Sequence, residues 1–329
     1  MKKIKINWNL SKRTKRILFA VLAVCLLLFP IVVQNGYYQH VAVICGLYIV
    51  LTLSLNLVSG FAGQLSMGHA AFYGIGAYVT ALLMTRMGMN FWLTIIFSML
   101  ISGMFGFILG LPTSRLRGDY LTIVTLGVGE IVRLFLINED EITNGPMGVS
   151  GIGAPELFGI TFGSDIAFYY MVLILVVLVT LFISRLINSG FGLAMMTIRE
   201  DEIAAQSIGI KPMKYKLAAF VMAAMIAGLA GSFYASYTTY VSPNTFLFND
   251  SATILAMMVL GGIGSIPGSI IGASVLSILP EVLRKFSDYR MIVYGLAMVI
   301  MMNVKPTGFY GQEKRVKNSY KLQLGGDRK

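Results

Sequence analysis

Charged residues are scarce in this chain of 329 residues: 12% are Asp, Glu, Lys or Arg, whereas 56% are hydrophobic. Soluble domains carry about 25% charged residues. A chain this poor in charge cannot cover a water-exposed surface, so the composition predicts an all-α integral membrane protein. Because a spanning helix needs about 20 apolar residues, the length leaves room for roughly eight to ten transmembrane helices.

Histidine and cysteine are also rare, and the sequence has no recognisable nucleotide-binding motif. Two histidines and two cysteines cannot supply a cysteine–histidine metal site or a disulfide framework. The sequence has no H-E-x-x-H motif and no G-x-x-x-x-G-K-[ST] phosphate loop, so we expect no bound metal or cofactor and no use of ATP by this chain alone. A membrane enzyme is disfavoured, because no intramembrane nucleophile is paired with a base.

Basic residues are concentrated in two predicted tails, residues 1–16 and 305–329, within a net charge of +11. The basic residues in these tails are Lys2, Lys3, Lys5, Lys12, Arg13, Lys15, Arg16, Lys305, Lys314, Arg315, Lys317, Lys321, Arg328 and Lys329. Such flanks mark the cytoplasmic side of a membrane and favour anionic lipid headgroups. There is no basic folded module, so we do not expect nucleic-acid binding.

Ten apolar runs predict a single transmembrane domain over residues 17–304. The runs are residues 17–33, 41–58, 69–84, 91–111, 119–137, 166–184, 216–240, 251–265, 268–284 and 291–304. The first run is too long for a signal-peptide core and lacks a clear cleavage site, so we expect it to be retained as a helix.

The distribution of basic residues among the loops orients the runs. Loops 34–40, 138–165 and 241–250 contain no Lys or Arg and are placed outside, whereas loops 112–118 and 185–215 are basic and are placed inside. Ten crossings then put both termini in the cytoplasm. One conflict remains, because Arg284, Lys285 and Arg290 fall on the outer side. Either the rule fails locally, or the eighth and ninth runs form a different, re-entrant arrangement.

A glycine-rich, polar stretch at residues 56–78 separates the second and third apolar runs. Its backbone cannot face lipid, so it is buried by protein or lines an aqueous route. A translocation route and close helix packing are both open interpretations. The polar candidates for lining a route are Asn56, Ser59, Gln64, Ser66 and His69. A similar glycine pattern recurs at residues 261–268.

Charged side chains inside membrane segments are costly and are usually functional. Glu130 and Arg133 lie in the fifth run at i,i+3 spacing, on one helix face. Two interpretations stay open: these residues pair with each other near the outer rim, or they take part in transport. His69 is likewise either a proton relay or part of a hydrogen-bonded helix start.

Small residues repeat every four positions in three ladders elsewhere in the chain, which allows helix backbones to approach closely. The ladders are Gly264, Gly268 and Gly272; Ala227, Gly231 and Ala235; and Gly106 and Gly110. Packing within one bundle is favoured over a dimer face.

A short helix is predicted within residues 190–212, in the basic cytoplasmic loop. Asp201 and Glu202 suit a helix start because they complement the helix dipole. Gly209 can end the helix, and Pro212 follows. Its apolar edge consists of Ile203, Ala204 and Ile208. A capped amphipathic helix at the inner surface is suited to docking on a partner.

Three stretches and a short tail motif carry a family resemblance. They are residues 55–80 (L-N-L-V-S-G-F-A-G-Q-L-S-M-G-H-A-A-F-Y-G-I-G-A-Y-V-T), residues 119–151 (D-Y-L-T-I-V-T-L-G-V-G-E-I-V-R through T-N-G-P-M-G-V-S-G), residues 198–210 (I-R-E-D-E-I-A-A-Q-S-I-G-I) and residues 305–308 (K-P-T-G). Together they resemble the branched-chain amino acid ABC transporter permease family, specifically its LivM-type subunit. The likeness covers residues 40–310.

The resemblance implies half of a pore that imports leucine, isoleucine or valine across a bacterial cytoplasmic membrane. It also implies a LivH-type second permease, two ABC ATPase subunits that use ATP, and an extracellular or periplasmic binding protein. The residues that match the family's ATPase-contacting loop are Arg199, Glu200, Asp201, Glu202, Ala204, Ala205 and Gly209. This segment departs from the fuller loop of other ABC importers, because Ile203 stands between Glu202 and Ala204 and no Leu-Pro follows.

Two alternatives to this function remain. Permeases for urea and short-chain amides look similar. An ion-coupled secondary transporter would use Glu130, Arg133 and His69, but it has no need of the helix at residues 199–209.

Overall fold

The computed structural model describes residues 24–114, 116, 118–157, 159–282, 295, 299, 308 and 309. The helices are α1 (Gly36–Leu55), α2 (His69–Met87), α3 (Phe91–Thr113), α4 (Asp119–Asn138), α5 (Asp140–Thr143), α6 (Asp165–Ile187), α7 (Gly190–Glu200), α8 (Glu202–Ser207), α9 (Pro212–Thr238), α10 (Phe248–Gly261) and α11 (Ile266–Val282). A π-helical turn (Asn56–Phe61) extends α1, and residues 24–32 are also helical.

Five helices in the described part of the chain are long and apolar enough to cross a membrane: α1 with its π-helical turn, α3, α4, α6 and α9. The shorter helices α2, α10 and α11 occupy the third, eighth and ninth predicted runs. The predicted all-α polytopic architecture is therefore confirmed. The basic residues at positions 284, 285 and 290 lie outside the described residues, as does the tenth run apart from residues 295 and 299.

Helix α9 starts four residues before the predicted run, at Pro212 rather than at residue 216. Proline suits the first position of a helix, because its missing N–H would have no intrahelical partner there and its φ is already helical. The hydropathy pattern missed this turn, since Lys214 and Lys216 interrupt it.

Helix α9 lies at the centre of the bundle and packs against α1, α2 and α3. Its contact with α2 is made by glycine on both sides. A Cβ atom at Gly231 would lie 2.2 Å from the carbonyl oxygen of Tyr73, and one at Gly76 would lie 2.2 Å from that of Gly228. The two backbones therefore touch, which no larger residue would permit.

The predicted small-residue ladders are used for packing inside the chain. Gly106 of α3 faces Ala224 of α9, where an added Cβ would be 2.5 Å away. Gly272 of α11 faces Met257 and Gly261 of α10. These contacts agree with the bundle-packing interpretation.

Four short strands lie in the connections outside the helices. Strand β1 (Val149–Ser150) pairs antiparallel with β4 (Tyr240–Val241), with Val149 opposite Val241. Strands β2 (Glu156–Leu157) and β3 (Ile160–Thr161) form a second antiparallel pair. The β1–β4 pairing ties the connection that follows α4 to the end of α9.

Candidate functional site

The glycine-rich stretch interrupts the path between α1 and α2. Helix α1 passes into the π-helical turn, and residues 62–68 are irregular before α2 begins at His69. A Cβ atom at Gly60 would lie 1.7 Å from Asn56 Oδ1, and Gly63 has φ +72°, a conformation that glycine adopts without steric cost. We call residues 56–68 the first break and residues 262–265, between α10 and α11, the second break.

Asn56 joins the two breaks and is fully buried. Its Oδ1 accepts a hydrogen bond of 2.8 Å from the Gly264 N–H, and its Nδ2 donates to the Ser265 carbonyl at 3.1 Å and to Ser269 Oγ at 2.7 Å. The two similar glycine patterns of the sequence are therefore in contact. Asn56 has its hydrogen-bonding groups occupied by protein partners.

The first break also contains buried polar groups that lack partners. Ser59 Oγ donates to the Gln64 carbonyl at 3.0 Å and accepts from the Ser66 N–H at 3.3 Å, which closes the turn. The Gln64 side-chain amide and the Ser66 hydroxyl are buried and have no hydrogen-bond partner in the described part of the chain. Each such group costs roughly 1–3 kcal/mol.

His69 starts α2 and is buried against α1. Its Nε2 lies 3.1 Å from Ser54 Oγ, and the Ser54 hydroxyl donates to the Ala223 carbonyl of α9 at 2.7 Å. Because the hydroxyl hydrogen is used there, Nε2 carries the proton and donates to Ser54. This geometry matches a hydrogen-bonded helix start, and it joins three helices.

All five candidate route residues are buried within the chain. The structure brings Asn56, Ser59, Gln64 and Ser66 together in the first break, with His69 at the helix that follows it. Direct contact between any of them and a substrate stays a prediction.

The predicted short helix is formed and opens at Asp201 and Glu202 as expected, but it does not include residues 199 and 200. Arg199 and Glu200 end α7, and the short helix α8 begins only at Glu202. Asp201 caps α8, because its Oδ1 accepts from the N–H groups of Ile203 at 2.9 Å and Ala204 at 3.0 Å. The extended backbone of Asp201 breaks the helix in two.

The end of α8 follows the expected pattern. Gly209 has φ +87°, and the Ile210 N–H donates back to the Ala205 carbonyl at 3.1 Å, as at glycine-terminated helices. Ala205 is buried, whereas Ile203 and Ile208 are 70% and 71% exposed. The helix therefore presents an apolar edge that the described chain does not cover.

Two polar contacts connect this segment to the bundle. Arg199 donates to the carbonyl oxygen of Gly60 in the first break, and its side chain packs on Gly63. Glu202 Oε2 lies 2.9 Å from Nζ of Lys216, a buried lysine in the second turn of α9. These contacts join α7 to the first break and α8 to α9. Lys216 was missed from the sequence, since it appeared only as the edge of an apolar run.

Glu130 and Arg133 form the predicted ion pair, with Arg133 Nε 2.8 Å from Glu130 Oε2. Their side chains are 36% and 24% exposed, respectively.

The fold and these contacts define a multi-pass helical membrane protein in which a surface helix is joined to a broken segment of the bundle. The chain belongs to the family described as branched-chain amino acid transport system / permease component, which matches residues 37–302. Among its relatives, the high-affinity branched-chain amino acid transport system permease protein LivM of Salmonella typhimurium is 42% identical, over 90% of this chain and 75% of that protein.

Two more distant relatives extend the comparison. The permease protein LivH of the same organism is 25% identical, over 80% of this chain and 91% of that protein. The guanosine ABC transporter permease protein NupQ of Bacillus subtilis is 22% identical, over 80% of this chain and 89% of that protein. No solved structure is significantly similar to this chain.

Proposed function

We propose that this chain is the LivM-type permease subunit of an ABC importer and forms half of the pore that carries leucine, isoleucine or valine into the cell. The 42% identity to a LivM protein supports this function. The second half of the pore is a LivH-type permease, a kind of protein that is 25% identical to this chain over 80% of this chain's residues. Two ABC ATPases bind from the cytoplasm, and an external binding protein delivers the substrate.

The observation that carries this proposal is the placement of α8. Its exposed Ile203 and Ile208 suit an apolar groove on an ATPase. ATP binding by the ATPases moves α8, and the Arg199 and Glu202 contacts transmit that motion to the first break and to α9. Packed helices then tilt and alternate access to the pore. This chain makes and breaks no covalent bond and binds no cofactor; ATP is used by the partners.

The orientation in the membrane follows from charge. The protein lies in the bacterial cytoplasmic membrane. Both of its termini are in the cytoplasm, because the terminal tails are basic. The same rule puts α7 and α8 on the cytoplasmic side, where the ATPases act.

The complex purified with its native partners tests this proposal. We expect two ATPase subunits and a second permease to copurify, and absence of any ATPase would contradict an ABC importer. Proteoliposomes with the binding protein should take up leucine in an ATP-dependent way. Uptake of urea, a short-chain amide or guanosine instead would replace the substrate, and uptake driven by an ion gradient alone would overturn the class.

Helix α8 gives a sharper test of coupling. Replacing Glu202 by Gln removes the charge that faces Lys216, and replacing Gly209 by Val strains a backbone at φ +87°. Complexes with either variant should hydrolyse ATP but take up about tenfold less leucine per ATP. The Glu202 variant loses a charge-assisted contact, and the Gly209 variant strains the end of α8. Ser207→Ala, on the same helix, is the control. Unchanged uptake in both variants would remove α8 from the coupling role.

A further inference from the structure

Helix α4 is the least buried of the five candidate spans. In its most apolar window 17% of residues are buried, against 61% in α9 and 72% in α1 with its π-helical turn. Helix α3 is also rather exposed, but its exposed large side chains are all apolar: Leu93, Ile96, Phe97, Leu100, Met104, Phe107, Ile108 and Leu111, with Trp92 at its start. Lipid can cover α3, whereas α4 carries a charge pair.

The charge pair lies deep in the helix and is partly exposed, on a side other than the one that α4 buries. At 1.5 Å per residue Glu130 and Arg133 lie about 16 Å and 21 Å from the first residue of α4, a helix of 20 residues. Glu130 is therefore near the middle of the helix rather than at its rim. The buried residues Leu121, Thr125 and Leu136 lie about 120° to 180° around the helix from Glu130.

Lipid is an unfavourable environment for the side of α4 that carries Glu130 and Arg133. A charged residue at the centre of a bilayer is costly, and such residues face protein or water almost without exception. Glu130 and Arg133 still have 36% and 24% of their side-chain surface exposed, and a Cβ atom at Gly127, one turn away, would meet nothing within 4 Å. The surface is therefore covered by another protein chain or by an aqueous route beside it.

We infer that Glu130 and Arg133 form a contact site for the zwitterionic backbone of an α-amino acid, on the face of α4 that the second permease covers. This inference rests on the proposed function. The Glu130 carboxylate would accept hydrogen bonds from the substrate ammonium, and the Arg133 guanidinium would donate to the substrate carboxylate.

The geometry leaves the necessary atoms available. The ion pair uses Arg133 Nε and Glu130 Oε2, and no other hydrogen bond engages either side chain in the described part of the chain. The apolar residues Ile123, Leu126 and Leu134 lie on the same face and offer contact to a branched side chain. Mutual pairing neutralises the charges in the empty pore, and weak exchangeable binding suits a route that must release its cargo.

Charge variants of the full importer test the site, with leucine-loaded binding protein and ATP in proteoliposomes. Glu130→Gln should lower leucine uptake about tenfold or more while ATPase subunits remain bound. The double variant E130R/R133E is the decisive comparison, because it preserves an internal ion pair but reverses both substrate contacts. A loss of about fivefold or more in the double variant supports the site. A smaller loss identifies a structural ion pair and overturns the inference.

A labelling experiment gives an answer that does not depend on uptake by the charge variants. In a background without Cys25 and Cys45, Leu134→Cys should react with a hydrophilic maleimide in the assembled wild-type-charge importer. Leu100→Cys, on the lipid-facing side of α3, should not react. Equal lack of reaction at both positions would overturn the inference. ATPase copurification and leucine uptake by the unaltered importer report separately on the proposed function.

Discussion

The first break and the second break are alike in composition but differ in how their polar groups are satisfied. In the second break, Gly264 and Ser265 bond to Asn56, and Ser265 Oγ accepts from the Gly268 N–H at 3.2 Å. In the first break, the Gln64 amide and the Ser66 hydroxyl are buried without a partner in the described chain. The difference indicates that the second break is a fixed joint, whereas the first has polar groups available for another arrangement.

The largest effect is expected where the two breaks touch. Gly60→Ala would place a Cβ atom 1.7 Å from Asn56 Oδ1 and 2.7 Å from the Gly264 nitrogen. Because both neighbours are held by other bonds, we expect a loss of about 3 kcal/mol in stability. The fraction of detergent-solubilised protein that stays monodisperse after heating measures it. Gly190→Ala, where nothing lies within 4 Å of the added Cβ, is the control. Equal behaviour of the two variants would refute the close approach.

Removing the Asn56 side chain, which joins the two breaks, should destabilise the protein somewhat less than Gly60→Ala. Asn56→Ala removes three buried hydrogen bonds, one from the Gly264 N–H and two to Ser265 and Ser269, and we expect a loss of about 2 kcal/mol. Asn138→Ala removes a side chain that donates only to the Leu134 carbonyl at an exposed helix end, so its effect should be small. The same heating assay compares them. If Asn56→Ala matches Asn138→Ala, the two breaks are not held together by this side chain.

Arg199 donates a hydrogen bond to the first break, so its replacement tests the role of that break. Arg199→Gln loses the charged bond to the Gly60 carbonyl, and we expect roughly fivefold lower leucine uptake per ATP hydrolysed, with the complex intact. Arg185→Gln at the exposed end of α6 is the control. Normal coupling in the Arg199 variant would mean that the first break does not receive motion from α7.

Local signals predicted most of the helices and the shape of the coupling segment. Asp201 as a cap, Gly209 as a terminator and the i,i+3 spacing of Glu130 and Arg133 act over a few residues, and their geometry was confirmed. The separation of Arg199 and Glu200 from α8 was not foreseen, because the extended conformation of Asp201 depends on its own capping bonds.

Contacts between distant parts of the chain could not be predicted in this way. Arg199 meets Gly60 across 139 residues, and Gly264 meets Asn56 across 208. Such pairs depend on how the whole bundle packs, and the only hint was the likeness of the two glycine patterns. For the same reason, polarity alone marked Asn56 and Gln64 as equivalent, although the Asn56 amide is bonded and the Gln64 amide has no partner among the described residues.

The smallest expected effect is a gain in stability, and it tests the difference between the Gln64 and Asn56 amides directly. Gln64→Leu replaces a buried amide, which has no partner in the described ranges, by an apolar side chain of similar size, so it should stabilise the protein by about 1 kcal/mol. Asn56→Leu, at a fully bonded amide, should destabilise it. If Gln64 finds its partners when the pore opens, the stabilised variant should also take up leucine more slowly at unchanged ATPase binding. A destabilised Gln64→Leu protein would show instead that the amide is already bonded in this state, and the contrast between the two breaks would disappear.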